Sequence, residues 1–460
     1  MVGALFGVGV TFGSGVSWVT AAGEQYFHLP LWLAAGCAAG LALLCGATFG
    51  ALLGAGLRCA VHGPAGWTIV AVGAVWAAWE SLTTAVFPYY PWAGLAATQV
   101  DLPVLLQAAS IGGQTGLSWA MASAGAALAL AVRSLPLDPT RLRSGITGVA
   151  ILLLAAAVGW VRLTAPQTSS ETCAVSAVDA DIPSGETEAQ VVLARYEELS
   201  ARALATQPAA IVWPESALPG FIEIDAGLQR QLRDRVRQWN AVLIAGGPRA
   251  AWDASWRQSL FNSVYRIDAA APLQVYDKRV RVPFAEYWPL PTSLRPAWLS
   301  VQEVAAGAGS MVLRAGSCHL GVLVCFEAEQ SGLAREAVRG GADALLVLSN
   351  DAQLPEQATL NEIVQARLRA VETGVPVLRA ANHGPTVLVD RYGHIVQRSR
   401  GDVLNARMYR GTAAPAVRLG PLVLLLSWIV SGATCAAAAR RYLRPVTPPC
   451  SEQAAPKLSS

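Results

Sequence analysis

His319-Leu-Gly-Val-Leu-Val-Cys325-Phe326-Glu327 is a run of small and branched apolar residues that ends abruptly in a cysteine and a glutamate. The run has the length and composition of a buried strand, and the cysteine falls where that strand gives out. In open α/β folds a side chain at such a strand end projects into the cleft that carries the chemistry. Two other stretches have the same format. Ala210-Ile-Val-Trp-Pro-Glu215 ends in a carboxylate, and Gln274-Val-Tyr-Asp-Lys278 ends in an amine. A thiol, a carboxylate and an amine at strand ends are the set that thiol-based acyl transfer requires: a nucleophile, a base to take its proton and a cation for the developing oxyanion.

Working outward, segments 187–206, 225–239, 328–339 and 357–372 read as helices. Strand-like stretches are Cys173–Asp181, Ala210–Trp213, Ala241–Gly246, Ser263–Ile267, Leu273–Asp277, Gly321–Cys325, Ala344–Leu348, Val375–Ala380 and Thr386–Asp390. Strands separated by helices predict an α/β domain with a layered core over 164–416. Asp390-Arg-Tyr-Gly-His394 reads as a hairpin turn.

The flanks differ in kind. Of the 460 residues 53% are hydrophobic and 14% charged, against about 25% charged in soluble chains. Six apolar runs, 2–19, 30–56, 68–87, 112–132, 145–163 and 417–438, are candidates to cross a membrane. The expected organisation is an N-terminal bundle of about five helices (1–163), the α/β domain, one C-terminal span (417–438) and a tail (439–460). The first run has neither a basic leader nor a small-residue cleavage site, so it is expected to stay attached. Arg58, Arg133, Arg141, Arg143, Arg440, Arg441 and Arg444 all fall in alternate loops, whereas loops 20–29 and 88–111 hold no Lys or Arg. This pattern puts the N-terminus in the cytoplasm and the α/β domain on the outer face.

Two features of the spans stand out. Glu80 is a carboxylate inside an apolar run, either a buried interhelical partner or the lining of a lipid cleft. Phe87-Pro-Tyr-Tyr-Pro-Trp92 reads as an interfacial aromatic belt or a substrate contact. The net charge of +3 and the absence of basic runs give no sign of a nucleic-acid partner. The eight cysteines show no paired metal spacing, and no metal ligand set is expected. Cys173 and Cys318 are open to two readings, a disulfide or two buried thiols.

Ile211-Val-Trp-Pro-Glu-Ser216, Tyr276-Asp-Lys278 with Val282-Pro-Phe-Ala-Glu286, and Gly321-Val-Leu-Val-Cys-Phe-Glu327 resemble the three catalytic segments of the carbon–nitrogen hydrolase, or nitrilase, superfamily. With membrane helices on both sides, the chain more narrowly resembles its membrane-embedded branch, the apolipoprotein N-acyltransferases. Gly13–Trp18, Trp79-Glu80, Pro91-Trp92, Gly307-x-Gly309, Ser349-Asn-Asp351, Gln365–Glu372 and Arg379–Asn382 carry the same resemblance. It implies a multi-pass helical membrane domain joined to a nitrilase-like α-β-β-α sandwich in the bacterial inner membrane. The nitrilase fold often assembles through its sheets, whereas a membrane anchor on both sides of the domain argues for a monomer.

The resemblance also implies roles. Glu215 would be the general base, Lys278 the oxyanion stabiliser and Cys325 the nucleophile. Glu286, Glu327, Phe326, Asn350 and Trp213 would be supporting or substrate residues, and Glu80 and Trp92 cleft residues. The implied reaction needs no cofactor. Cys325 takes an acyl chain from a membrane phospholipid as a thioester and passes it to the amino group of a diacylglyceryl-cysteine on an apolipoprotein. Alternatives are an amidase or acyltransferase with another acceptor, or a weakly active lipoprotein-binding paralogue. The family commonly has tyrosine where Phe326 stands, Trp-Phe where Ala352-Gln-Leu stands, Lys-Trp where Ser184-Gly-Glu stands, and one or two further helices ahead of the Gly-rich segment. These departures bear on substrate choice and leave the three catalytic positions occupied.

Overall fold

Alternate residues of the central apolar strands serve two different cores. On β7 (Cys318–Val324), Leu320, Val322 and Val324 face one cluster, while Leu323 belongs to another. On β2 (Ala210–Trp213), Val212 lies in the first cluster, and Ile211 and Trp213 in a third. A strand apolar on both faces must be covered on both, and this one requirement builds the domain. In a computed structural model of the chain, which describes residues 5, 9, 10, 17–86, 94–132, 139–165, 172–185, 188–297, 299 and 301–442, two six-stranded sheets pack face to face. Helices Ala189–Ala203 and Ala226–Trp239 cover the outer face of one sheet, and Ser331–Arg339 and Glu356–Thr373 that of the other. The expected α-β-β-α sandwich is the observed one.

The remaining strands are β1 (Thr172–Val178), β3 (Val242–Trp252), β4 (Gln258–Ile267), β5 (Gln274–Asp277), β6 (Val312–Ala315), β8 (Ala344–Asn350), β9 (Val377–Asn382), β10 (Thr386–Val389), β11 (Ile395–Ser399) and β12 (Val403–Tyr409). The first sheet runs β12-β1-β2-β3-β4-β5 and the second β11-β10-β9-β8-β7-β6. In each, three parallel central strands are flanked by antiparallel ones, so β1–β5 and β7–β11 repeat the same pairing pattern. The carboxyl ends of β2, β5 and β7 carry the three candidate catalytic residues. Strands β6, β11 and β12 are absent from the sequence reading, and β7 ends at Val324, one residue earlier than expected. The hairpin at Asp390–His394 forms, with the Asp390 amide donating to the His394 carbonyl at 2.9 Å.

Cys173 on β1 and Cys318 on β7 meet in the core between the sheets and form a disulfide, with Cα atoms 5.6 Å apart. The bond joins the two halves of the sandwich across 145 residues of sequence.

Among the described residues, five helices are long and apolar enough to cross a membrane: Leu31–Ala60, Ala65–Val86, Ala109–Val132, Leu142–Thr164 and Ala416–Arg441. Four precede the sandwich and one follows it. The expected span 2–19 lies largely outside the described residues, as do the aromatic segment 87–92 and Trp92. Glu80 accepts hydrogen bonds from the Trp76 indole at 2.7 Å and from the Leu95 backbone amide at 2.8 Å. Of its two expected roles, these contacts are those of a buried partner that anchors the chain beyond its own helix.

The bundle and the sandwich meet along the helix Glu356–Thr373. Glu372 and Arg369, both fully buried, pair at 3.2 Å. Arg335 reaches Glu372 at 2.7 Å, and Arg369 donates to the Gln114 side chain at 2.7 Å. Gln114 follows Gly113, where the helix Ala109–Val132 kinks with φ 72°. A Cβ on Gly113 would come within 2.5 Å of a Glu372 carboxylate oxygen. Gly113→Ala therefore meets both backbone strain and a clash with a buried charge, and is expected to lose roughly 1–3 kcal/mol. Gly112→Ala meets only Val423 at 3.6 Å and is the control. Thermal unfolding of both variants in detergent would check this; equal midpoints would refute it.

Candidate active site

Glu215, Lys278 and Cys325 converge at the carboxyl ends of β2, β5 and β7. All three are buried, Lys278 to 2% exposure, Glu215 to 7% and Cys325 to 9%. The Lys278 ammonium lies 2.9 Å from Glu286 and 3.4 Å from Glu215. Asn262, on β4, donates to the same oxygen of each carboxylate, at 2.7 Å to Glu215 and 3.1 Å to Glu286. The second oxygen of Glu215 accepts from the Asn350 backbone amide at 3.0 Å, and that of Glu286 from Val282 at 2.8 Å. Two carboxylates thus share one ammonium and one amide.

Their environments separate them. Burial pushes the Glu215 carboxyl up, the Lys278 charge opposes it, and the net direction is upward. Burial acts the same way on Glu286, but the Lys278 charge and the hydrogen bonds from Lys278, Val282 and Asn262 outweigh it and hold Glu286 below the usual carboxylate range. Burial alone would lower Lys278, yet Glu286 and Glu215 keep it well above its ordinary value. Glu286 is therefore the carboxylate held as counter-ion to the Lys278 ammonium, and Glu215 is the one whose carboxyl is shifted toward the protonated form.

Cys325 opens the turn after β7 with φ 50°, a left-handed backbone that few non-glycine residues adopt. Such strain persists only where the surroundings over-determine it. Glu327 supplies much of that determination. Its carboxylate is wholly buried and accepts from the Val324 amide at 2.9 Å, the Arg279 and Val280 amides at 2.6 and 3.1 Å, and the Tyr276 hydroxyl at 2.8 Å. One side chain thus ties the turn at Cys325 to the segment that carries Lys278. Burial, then the charges of Glu215 and Glu362, push the Cys325 thiol well above its ordinary range, with Lys278 opposing. These surroundings favour the thiol form of Cys325.

The other sequence candidates divide. Asn350 contributes its backbone amide to Glu215, and its side-chain oxygen accepts from Asn382 at 3.1 Å. Phe326 is buried in the core between the sheets. Trp213 is buried on the outer side of its sheet, stacked on Tyr196 at 4.9 Å and donating to Ser200 at 2.9 Å, so its surroundings are those of a packing residue. Asn262 and Glu362 are site residues that the sequence reading does not single out, and Arg379 enters it only within the segment Arg379–Asn382. Asn262 leaves a trace, a polar residue within the run Leu260–Ile267; Glu362 leaves none, since its helix mixes polar and apolar residues throughout. Tyr26, in the loop ahead of helix Leu31–Ala60, also feels the site: burial and the charges of Glu286 and Glu215 push its phenol up.

Residues 174–405 match the carbon–nitrogen hydrolase family, and residues 1–127 match the apolipoprotein N-acyltransferase N-terminal domain. The chain belongs to the carbon–nitrogen hydrolase family, with a membrane domain of the apolipoprotein N-acyltransferase type ahead of the hydrolase fold. Curated relatives include apolipoprotein N-acyltransferases. The chain is 30% identical to the apolipoprotein N-acyltransferase of Geobacter metallireducens over 66% of its own length and 61% of the relative's. It is 32% identical to that of Brucella melitensis over 69% and 62%, and 27% identical to that of Photobacterium profundum over 93% and 83%. The matched part thus spans about three fifths of the first two relatives. Among solved structures, Nit3 of Saccharomyces cerevisiae is 19% identical, covering 54% of this chain and 93% of its own, with a TM-score of 0.41. An amidase from Nesterenkonia sp. AN1 is 17% identical, covering 56% and 99%, with a TM-score of 0.42.

Proposed function

We propose that the protein transfers an acyl chain from a membrane phospholipid to the α-amino group of an N-terminal diacylglyceryl-cysteine on lipoproteins, through a thioester on Cys325. The observation that carries this reading is a buried Glu215–Lys278–Cys325 set at strand ends, in a domain docked onto membrane helices. Glu215 takes the Cys325 proton as Sγ attacks the ester carbonyl. Lys278 faces the oxyanion of the tetrahedral intermediate. Collapse expels the lysophospholipid alkoxide, which receives the proton from Glu215 and leaves the thioester. The incoming amine then attacks the thioester carbonyl and gives its proton to Glu215. Collapse releases the amide and returns the proton to Sγ.

The membrane setting suits this chemistry. Both substrates are anchored in lipid, so a site held at the bilayer gains proximity, and exclusion of water protects the thioester. The arginine-bearing loops favour a catalytic domain on the outer face. The Cys173–Cys318 disulfide favours the same side, because such bonds persist in oxidising compartments.

The test is intact mass spectrometry of the detergent-purified protein after incubation with phospholipid, beside Cys325→Ala. The expected result is one added acyl mass that hydroxylamine removes, absent from the variant. A folded protein that gains no adduct from several lipid donors would overturn the donor half of the reading. An adduct released only to water when a diacylglyceryl-cysteine peptide is supplied would replace the transferase with a hydrolase.

A further inference from the structure

The hydrogen bond described for the Cys325 thiol does not go to Glu215. It goes to Glu362, with Sγ 3.4 Å from Oε1. Glu362 comes from the helix Glu356–Thr373 and is 6% exposed. Its other oxygen accepts from the Arg379 guanidinium at 2.6 Å and from the Ser349 hydroxyl at 3.2 Å. Arg379, fully buried on β9, also binds Asp351 at 2.6 Å and the Pro385 carbonyl at 3.0 Å. A carboxylate tethered at one oxygen by a buried arginine presents its second oxygen in a fixed place, and the thiol occupies that place.

We propose that Glu362 is a positioning residue for Cys325, holding the resting nucleophile by its proton and keeping it a thiol until Glu215 removes that proton during attack. The inference rests on Cys325 being the nucleophile. The groups around the sulfur are Glu215 after β2, Lys278 after β5, Glu286 in the following loop, Glu362 on its helix, Asp351 after β8, Arg379 on β9 and the Tyr26 phenol from the membrane domain. Glu215, Glu362 and Glu286 act against a charge on the sulfur, with Lys278 opposing them and Arg379 and Asp351 standing behind Glu362, so a thiolate formed without substrate is disfavoured. Premature ionisation would expose the nucleophile to oxidation and alkylation. Holding the proton against a carboxylate other than Glu215 separates the resting state from the reacting one.

The test is alkylation of Cys325 by iodoacetamide from pH 6 to 10 in the full-length protein in detergent, with the adduct located by peptide mass spectrometry. The reaction needs no lipid substrate, so its outcome is independent of whether the proposed acyl transfer occurs. In the unaltered protein the rate is expected to rise with a midpoint above that of an ordinary thiol. Glu362→Gln, which removes the charge and keeps the shape, is expected to move the midpoint down by about one pH unit, with about a tenfold faster reaction at neutral pH. Glu362→Asp keeps the charge and is expected to stay near the original profile. A midpoint at or below neutrality in the unaltered protein would overturn the proposal whether or not the variants fold. So would equal profiles for the Gln and Asp variants, which is what a merely structural role produces.

Discussion

Glu215→Gln is expected to slow acylation of Cys325 by about a thousandfold, the middle of the range for loss of a general base. The glutamine fits the space, so the loss reports chemistry more than collapse. Its amide oxygen can still accept from Asn262 and Lys278, which donate to Oε1 of the carboxylate. Its NH2 then faces the Asn350 backbone amide, which donates to Oε2 in the native site, and that donor–donor contact is the structural cost. The alternative probe, Lys278→Ala, is less informative. It would leave Glu215 and Glu286 buried around an empty position, and breaking a buried ion pair in this way destabilises by roughly 3–5 kcal/mol on its own. The measurement is the rate of the hydroxylamine-sensitive mass adduct at pH 7. An acylation rate within tenfold of the unaltered enzyme would transfer the role of base to another carboxylate, and Glu362, already on the thiol, would be the first candidate.

The second large effect concerns stability. Removing the Cys173–Cys318 bond by alanine at both positions is expected to destabilise the sandwich by up to about 5 kcal/mol, because the bond closes a loop of 145 residues in the unfolded chain. Both cysteines are fully buried between the sheets, so the replacements also leave small voids. The expected signature is a lowered thermal midpoint in the double variant, matched by the unaltered protein unfolded in the presence of a reductant. A double variant as stable as its parent would mean that the unfolded ensemble is already compact in this region. The bond also reports on compartment. Protein retained on the reducing side of the membrane should carry both thiols free to alkylation once unfolded, and protein inserted with its domain outside should carry neither.

Much of this was legible in the sequence, for reasons that differ by element. Strands β2, β7 and β8 are covered on both faces, so their residues form unbroken apolar runs, and a charged or nucleophilic residue at the end of such a run is conspicuous. Glu215 and Cys325 are visible for that reason; Lys278 follows the partly exposed edge strand β5 and is conspicuous only beside the other two. Strand β12 alternates buried and exposed positions, a period-two pattern present in Val403–Tyr409 and passed over because Asn405 and Arg407 interrupt its apolarity. Strands β6 and β11 lie at sheet edges, and β11 is largely exposed, so burial leaves almost no imprint on its composition. The Cys173–Cys318 pairing needed the two sheets to be stacked before it could be read. Asn262 and Glu362 are set by docking alone. Nothing local to Thr359–Ile363 marks which residue of that helix meets the sulfur.

The helix Glu356–Thr373 has two duties ten residues apart. Glu362 rests on the Cys325 thiol, and Glu372 and Arg369 rest on the kinked membrane helix through Gln114. At about 1.5 Å per residue these contacts are separated by some 15 Å of continuous helix. The bilayer-embedded part of the protein is thus a bearing for the catalytic part as well as its anchor. A sandwich cut free of its spans would lose the surface that seats this helix and would expose a buried carboxylate and two guanidinium groups to water. Its thiol would then sit beside a carboxylate on a helix that had lost its seat at one end. Lifting the sandwich off its membrane helices and loosening the hold on Cys325 are one mechanical act.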